Sequence, residues 1–158
     1  MAGTIVIALV ALALGAGQGG LLAGTPPTDL GVQGGRLKAP SNSANSVSSQ
    51  ARLWAGHPMQ QGAQIAPLPL RGTPAEAITR LRAVVQAVPG AEVVTQRDDY
   101  LYVRFTTRWM GFVDDAEFWA DPATRAIQLR SASRLGESDL GVNRARVERI
   151  RTALGAGG

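Results

Sequence analysis

The chain contains no cysteine, which excludes a disulfide framework, a thiolate nucleophile and any cysteine-ligated metal site. Its one histidine, His57, has no second histidine or acidic partner nearby in the sequence. It reads as a loop residue, and no metal site is expected. Aromatic residues make up only 5% of the chain. The net charge of +4 is accompanied by neither a zinc-finger spacing nor an aromatic RNP-type strand, so nucleic acid is not an expected partner. The glycines at 15, 17, 19, 20 and 24 precede no Gly-Lys-Ser or Gly-Lys-Thr, which excludes a phosphate loop. Ser46, Ser48 and Ser49 have no base in view except His57, so nucleophilic catalysis is not expected. No catalytic residue and no cofactor is assigned.

What is present begins with an apolar run at 4–14, TIVIALVALAL, prolonged without charge to Gly24. About 20 such residues suffice to cross a bilayer core as a helix, and a run of about 11 followed by small residues is also a signal-peptide pattern. Residues 1–24 are therefore expected to form a hydrophobic helix acting as a membrane anchor or signal peptide, with membrane contact through residues 4–23. No lysine or arginine precedes the run, whereas Arg36 and Lys38 follow it. Taken alone, that asymmetry would keep the following chain in the cytoplasm. Residues 25–62 are rich in Pro, Gly, Ser and Asn and read as an extended linker and long loop. The folded domain is expected over 63–155, beginning with a short edge strand within 63–70.

Regular structure is signalled at Thr73-Pro74-Ala75-Glu76, an N-cap, a first-turn proline and a capping-box glutamate. The helix that follows would bury Ile78, Leu81, Val85 and Val88 and stop at Pro89-Gly90. Residues 91–96 are β-branched, the Asp98-Asp99 corner turns the chain, and 100–107 alternates, with Leu101, Val103 and Phe105 opposite Tyr100, Tyr102 and Arg104. The segment 112–119 places Phe112, Asp114, Ala116 and Phe118 opposite Val113, Asp115, Glu117 and Trp119. The segment 126–133 places Ile127, Leu129, Ser131 and Ser133 opposite Gln128, Arg130, Ala132 and Arg134. Turns this short impose antiparallel pairing. The fold class is thus α+β: an antiparallel sheet of four to five strands with two helices packed on it, preceded by the hydrophobic helix. The terminal helix would bury Leu140, Val147, Ile150 and Leu154. Asn143 shares that stripe, and an unpartnered amide there costs about 1–3 kcal/mol, so a fixed partner is expected, with the loop at 136–139 in reach.

Three blocks do more than fit a pattern: LGVQGGRLKAPSNSANSVSSQA at 30–51, GFVDDAEFW at 111–119 and IQLRSASRLGESDLGVNRARVERIR at 127–151. Over about residues 30–152 the chain resembles the domain-of-unknown-function 1499 family, as a member without cysteine. The resemblance implies no activity that can be transferred. Many relatives read PCPxSPNCVSS where this chain has APSNSANSVSS, so their two cysteines fall at about Pro40 and Ser46. This member cannot need that pair for its chemistry. Paired cysteines in relatives suit an oxidising compartment. The resemblance therefore implies the cell envelope, with the domain anchored in the inner membrane and outside the cytoplasm, or secreted to the periplasm.

Charge is concentrated toward the C-terminus, where residues 125–158 carry seven arginines against Glu137, Asp139 and Glu148. With the strands registered as above, Arg104, Asp115, Glu117, Arg130 and Arg134 would converge near the start of the terminal helix. A helix N-terminus beside arginines is an anion site in waiting. Ser131, Ser133, Ser138, Asp139, Asn143 and Arg144 complete the candidate ligand-binding set. In the competing reading the same groups satisfy one another, Asp115 or Glu117 pairing with Arg130 or Arg134 and Asp139 capping the helix. Asp114 and Asp115 point to opposite faces of a strand and cannot share a substrate. Trp109, beside Arg108 at a hairpin tip, suits either a membrane interface or a lid over the sheet end. Three functions stay open: a tethered envelope module binding an anionic small molecule or protein partner, a noncatalytic structural or assembly subunit, and an enzyme.

Overall fold

The computed structural model describes residues 5–7, 15 and 19–156. The hydrophobic helix and anchor expected at the N-terminus fall almost wholly outside these. Among the described residues no helix is long and apolar enough to cross a membrane.

Thr73 opens the first helix, α1 (Pro74–Gln86), through a complete capping box. Its hydroxyl accepts from the Glu76 amide at 3.3 Å, and the Glu76 carboxylate accepts from the Thr73 amide at 2.9 Å. Those two bonds satisfy amides that a helix start leaves without partners. The Thr73 amide first, and then its hydroxyl, which donates to the same carboxylate at 3.0 Å, hold the Glu76 carboxyl below its ordinary range. Ile78, Leu81 and Val85 are fully buried, on the face their spacing predicts. Gly90, just beyond the helix, sits at φ +78, where a β-carbon would stand 2.2 Å from the Thr106 carbonyl oxygen. Only glycine lets the two backbones approach this closely.

The sheet has six strands, all paired antiparallel, where four to five were expected. These are β1 (Ser46–Ser48), β2 (Leu68–Pro69), β3 (Ala91–Gln96), β4 (Tyr100–Thr106), β5 (Val113–Asp121) and β6 (Ala126–Ser133). Their order is β1-β6-β5-β4-β3, with β2 beside β1 on the outer edge of β6. The proline-bearing strand lies on an edge, as its missing amides require. Strand β1 came from the stretch expected to be linker. Ser-Val-Ser offers one apolar side chain and no alternation to read, so its strand character resides in backbone pairing to Arg130, Ser131 and Ala132. The surrounding residues are structured as well, with Leu37 and Ala51 buried. Ser46 accepts a 2.9 Å bond from the Ser41 amide.

Both helices lie on one face of the sheet. There α1 and α2 (Val142–Ala156) pack over Leu101, Val103, Phe105, Phe118, Ile127 and Leu129. Leu140 is not on the α2 stripe. It stands ahead of the helix at φ +52, and its side chain is 91% exposed. The pair Leu140-Gly141, both with positive φ, turns the chain before the first helical residue.

The second face of the sheet is roofed by residues 29–39. Gln33 and Arg36 pair across Gly34-Gly35, whose φ values of +56 and +74 fit a two-residue hairpin turn of the primed type. The Gly31 amide and the Ala39 carbonyl fasten this loop to the strands below.

Candidate functional site

The strict alternation of β5 and β6 separates the predicted site into two polar layers. The register sets Asp115 beside Ala132 and Glu117 opposite Arg130. Asp115, Glu117, Arg130 and Arg134 face the roof, while Ser131, Ser133 and Asn143 meet on the helix side. They are not one constellation, because a sheet lies between them.

On the helix side, Arg146 donates to Asp114 at 2.5 Å and to the Asn143 side-chain oxygen at 2.8 Å. Its guanidinium also covers the Phe105 ring at 4.5 Å. Ser133 donates to the other Asp114 oxygen at 2.6 Å. The Asn143 amide oxygen also accepts from Ser131, and its nitrogen donates to Ser133 and to the Asn45 carbonyl. The partner expected for Asn143 thus exists, although it comes from the strands; Asp139 instead accepts from the backbone amides of Gly141 and Asn143. Ser138 accepts from the Leu140 amide. Arg144 reaches back to the carbonyls of Gly62 and Gln64. Arg104, registered opposite Asp115 on the same face, pairs instead with Glu92 on β3. Each of these groups has a structural partner.

On the roofed side, Arg134 holds Asp115 through two parallel bonds of 2.7 and 2.8 Å, with side-chain exposures of 5% and 3%. Tyr102 donates to the same carboxylate at 2.5 Å. Its own phenol is pushed up to about 12, by burial first and then by the acceptor it serves. This is the fork geometry that makes arginine–carboxylate pairs strong.

Glu117 and Arg130 differ. Glu117 is fully buried; one carboxylate oxygen accepts from the Gly31 amide at 2.6 Å and the Tyr100 hydroxyl at 2.8 Å. The other oxygen is buried with no partner among the described residues. Burial raises the Glu117 carboxyl above its ordinary range, against the opposing pull of those two bonds and of Arg130 and Lys38. Arg130 is buried and donates through Nε to the Ala39 carbonyl at 2.8 Å. Among the described residues its terminal amino groups have no hydrogen-bond acceptor, and no carboxylate lies within ion-pair distance. Burial lowers its basicity, and the nearby Glu117, Asp115 and Asp29 charges oppose that.

The roof carries a pocket of about 290 Å³, lined by Asp29, Gly31, Arg36, Lys38, Ala39 and Trp54 among others; Glu117 and Arg130 are outside its lining but bond to two residues of it, Gly31 and Ala39. Lys38 bridges Asp29 at 2.6 Å at its edge. Arg36 lies over the Trp54 ring at 5.8 Å. The indole nitrogen of Trp54 is another buried donor without a partner among the described residues. Among the described residues no three His, Asp or Glu side chains group closely enough to hold a metal ion.

Sequence reasoning missed Asp114 and Arg146 as partners, and missed Arg36, Lys38 and Trp54 altogether. The signal for the first two was available. A carboxylate in core-facing register with Ala116 and Phe118 requires a cation, and Arg146 precedes Val147 on the buried side of the terminal helix. No local pattern linked 29–54 to the strands.

Fold and site together define the class: an α+β domain whose single antiparallel sheet carries helices on one face and an ordered polar roof on the other, with buried ion pairs in both layers. The chain belongs to the DUF1499 family of proteins of unknown function, whose family model matches residues 36–154. No curated protein and no solved structure matches the chain significantly. The family match takes in part of the roof and β1 as well as the meander, in accord with their shared packing.

Proposed function

We propose that this protein is a noncatalytic module of the cell envelope, tethered to the membrane or exported through residues 4–23, that binds a small anionic ligand beneath the 29–39 roof. The observation that carries the binding role is Arg130: a buried guanidinium with no carboxylate within ion-pair distance, bonded to Ala39, which lines a pocket bordered by Arg36 and Lys38. A buried charge whose nearby carboxylates, here Glu117, Asp115 and Asp29, make no direct ion pair with it is costly to hold. An incoming carboxylate or phosphate would supply the missing acceptor, with the Trp54 indole as a further donor. Burial disfavours the charged form of Glu117, which reduces its repulsion of an anion. The pocket is near the lower end of small-molecule sites, which run about 300–1,000 Å³, so the ligand is a compact one. The apolar run at 4–14 and the family resemblance support the tether and the envelope location.

A structural role is the better reading for Arg134 and Arg146, because both are saturated by buried carboxylates. The binding proposal is correspondingly narrower than the whole arginine-rich end.

The test is thermal unfolding of the full chain in phosphate, acetate and succinate, against Arg130→Met. A ligand at about ten times its Kd stabilises the folded state by about 1.4 kcal/mol. At least one anion should raise the midpoint of the parent chain and leave that of Arg130→Met unmoved. No shift with any of the three, or the same shift in both proteins, removes the proposal.

A further inference from the structure

One end of the domain carries apolar side chains that the fold does not use. Trp109, at the turn between β4 and β5, is 63% exposed, and Leu135, Leu140 and Val142 are exposed in the chain path from β6 into α2. Leu135, Leu140 and Val142, together with Phe112, line an apolar groove of about 230 Å³. Leu140 is the most informative of them. Its left-handed backbone is strained for a residue with a β-carbon, yet its side chain gains no burial in return. A large apolar side chain held outward at such a position is best explained by a surface it meets outside the domain.

The path of the N-terminal chain indicates what that surface is. Gly24 lies against Arg134 and Leu135, so close that a β-carbon there would stand 2.7 Å from the Arg134 Cβ. The segment leading back toward the apolar run at 4–14 thus leaves the domain at the rim of the groove, and its Leu21 is exposed as well. Only ten positions separate Gly24 from Leu14, at most about 35 Å of extended chain. Trp109 has the Arg108 guanidinium over its ring at 4.9 Å, an amphipathic pairing that suits the boundary between headgroups and acyl chains.

We infer that this end of the domain docks on the lipid bilayer, with Trp109, Leu135, Leu140 and Val142 entering the interface beside the emerging N-terminal segment. The inference rests on the membrane tether and adds an orientation to it: the roofed face stands at the side of the domain. Glu137 and Asp139, in the loop between Leu135 and Leu140, are the groups an anionic surface would disfavour, so zwitterionic lipid is the probe of choice.

The lack of cysteine makes the test direct. The full chain carrying Leu140→Cys, labelled with a nitroxide, is mixed with phosphatidylcholine vesicles, and Ala83→Cys on the exposed side of α1 serves as control. Flotation reports association, and relaxation by oxygen against a water-soluble nickel complex reports depth. Docking predicts a chain that floats, with the label at 140 shielded from nickel and open to oxygen and the label at 83 in water. Adding Trp109→Ala should reduce the docked population roughly tenfold or more, the equivalent of one large apolar side chain. A chain that floats while the label at 140 stays in water overturns docking and leaves the tether standing. A chain that does not float overturns both, and shielding that needs no vesicles would assign the patch to a protein surface instead.

Discussion

Arg130 on β6 and Arg134 just beyond its end lie four residues apart on one face of the sheet, and their removal should have unequal consequences. Arg134→Met leaves the Asp115 carboxylate, 3% exposed, with the Tyr102 hydroxyl as its remaining side-chain donor. Breaking a buried pair from one side costs about 3–5 kcal/mol, a large fraction of the roughly 5–15 kcal/mol that holds a domain together. At about 2–4 °C per kcal/mol for a chain of this size, the midpoint should fall by roughly 6–20 °C. Arg130→Met abandons no paired carboxylate, since none lies within ion-pair distance. What it loses is the bond to the Ala39 carbonyl, worth about 1 kcal/mol, and the attraction to Glu117, Asp115 and Asp29; set against these, it removes a charge that burial disfavours. Its cost should therefore stay within about 1 kcal/mol in either direction. Urea unfolding followed by far-ultraviolet dichroism measures both, with the m-value checking that the transition itself is unchanged. If Arg130→Met costs as much as Arg134→Met, Arg130 is an internal strut and the ligand site loses its cation.

The Asp114–Arg146 pair should behave like Asp115–Arg134. Arg146→Met alone is expected to cost about 3–5 kcal/mol, whereas the double change Asp114→Leu/Arg146→Met recovers most of that; a double-mutant cycle giving a coupling below about 1 kcal/mol would show that the pair does not act as a unit. Glu117 sets a pH dependence whose sign is opposite to that of a salt-bridged acid. Its folded carboxyl is raised above the ordinary 4.5 by burial, so the folded state binds the proton more tightly than the unfolded chain. Stability is fully present below about pH 4.5 and is lost as the pH climbs to the folded value. Glu117→Gln keeps an acceptor for Gly31 and Tyr100 and cannot ionise, so its advantage over the parent should grow with pH across that window. Urea midpoints of the two proteins compared from pH 4 to pH 8, as a difference that does not change with pH, would contradict this.

The meander was legible because its information is local. The capping box at Thr73, the Asp98-Asp99 corner and the alternation of β4, β5 and β6 each lie within a few residues, and each appears in the fold where its chemistry places it. The sequence also identified the polar residues that matter while misjudging their company. Ser131 and Arg130 are neighbours in the chain and lie on opposite sides of the sheet, so a convergent anion site built from both was geometrically closed by the same period-two rule that located the strands. What could not be read is the roof. Its hold on the sheet consists of single long-range bonds, Gly31 to Glu117 across 86 positions and Arg130 to Ala39 across 91, and a glycine amide or an alanine carbonyl carries no mark of its partner. A segment rich in Gly, Pro, Ser and Asn looks the same whether it wanders or is pinned. The decisive clue was instead in the strands. Glu117 and Arg130 lie in the register of a face that would otherwise meet water, yet Tyr100, Trp119 and Ala132 share that face with them, so some other part of the chain had to cover it. An alternating strand whose outer face mixes aromatic residues with charge indicates a second layer even where no helix or strand remains to supply one. The only unassigned chain long enough to do so was the stretch before Thr73.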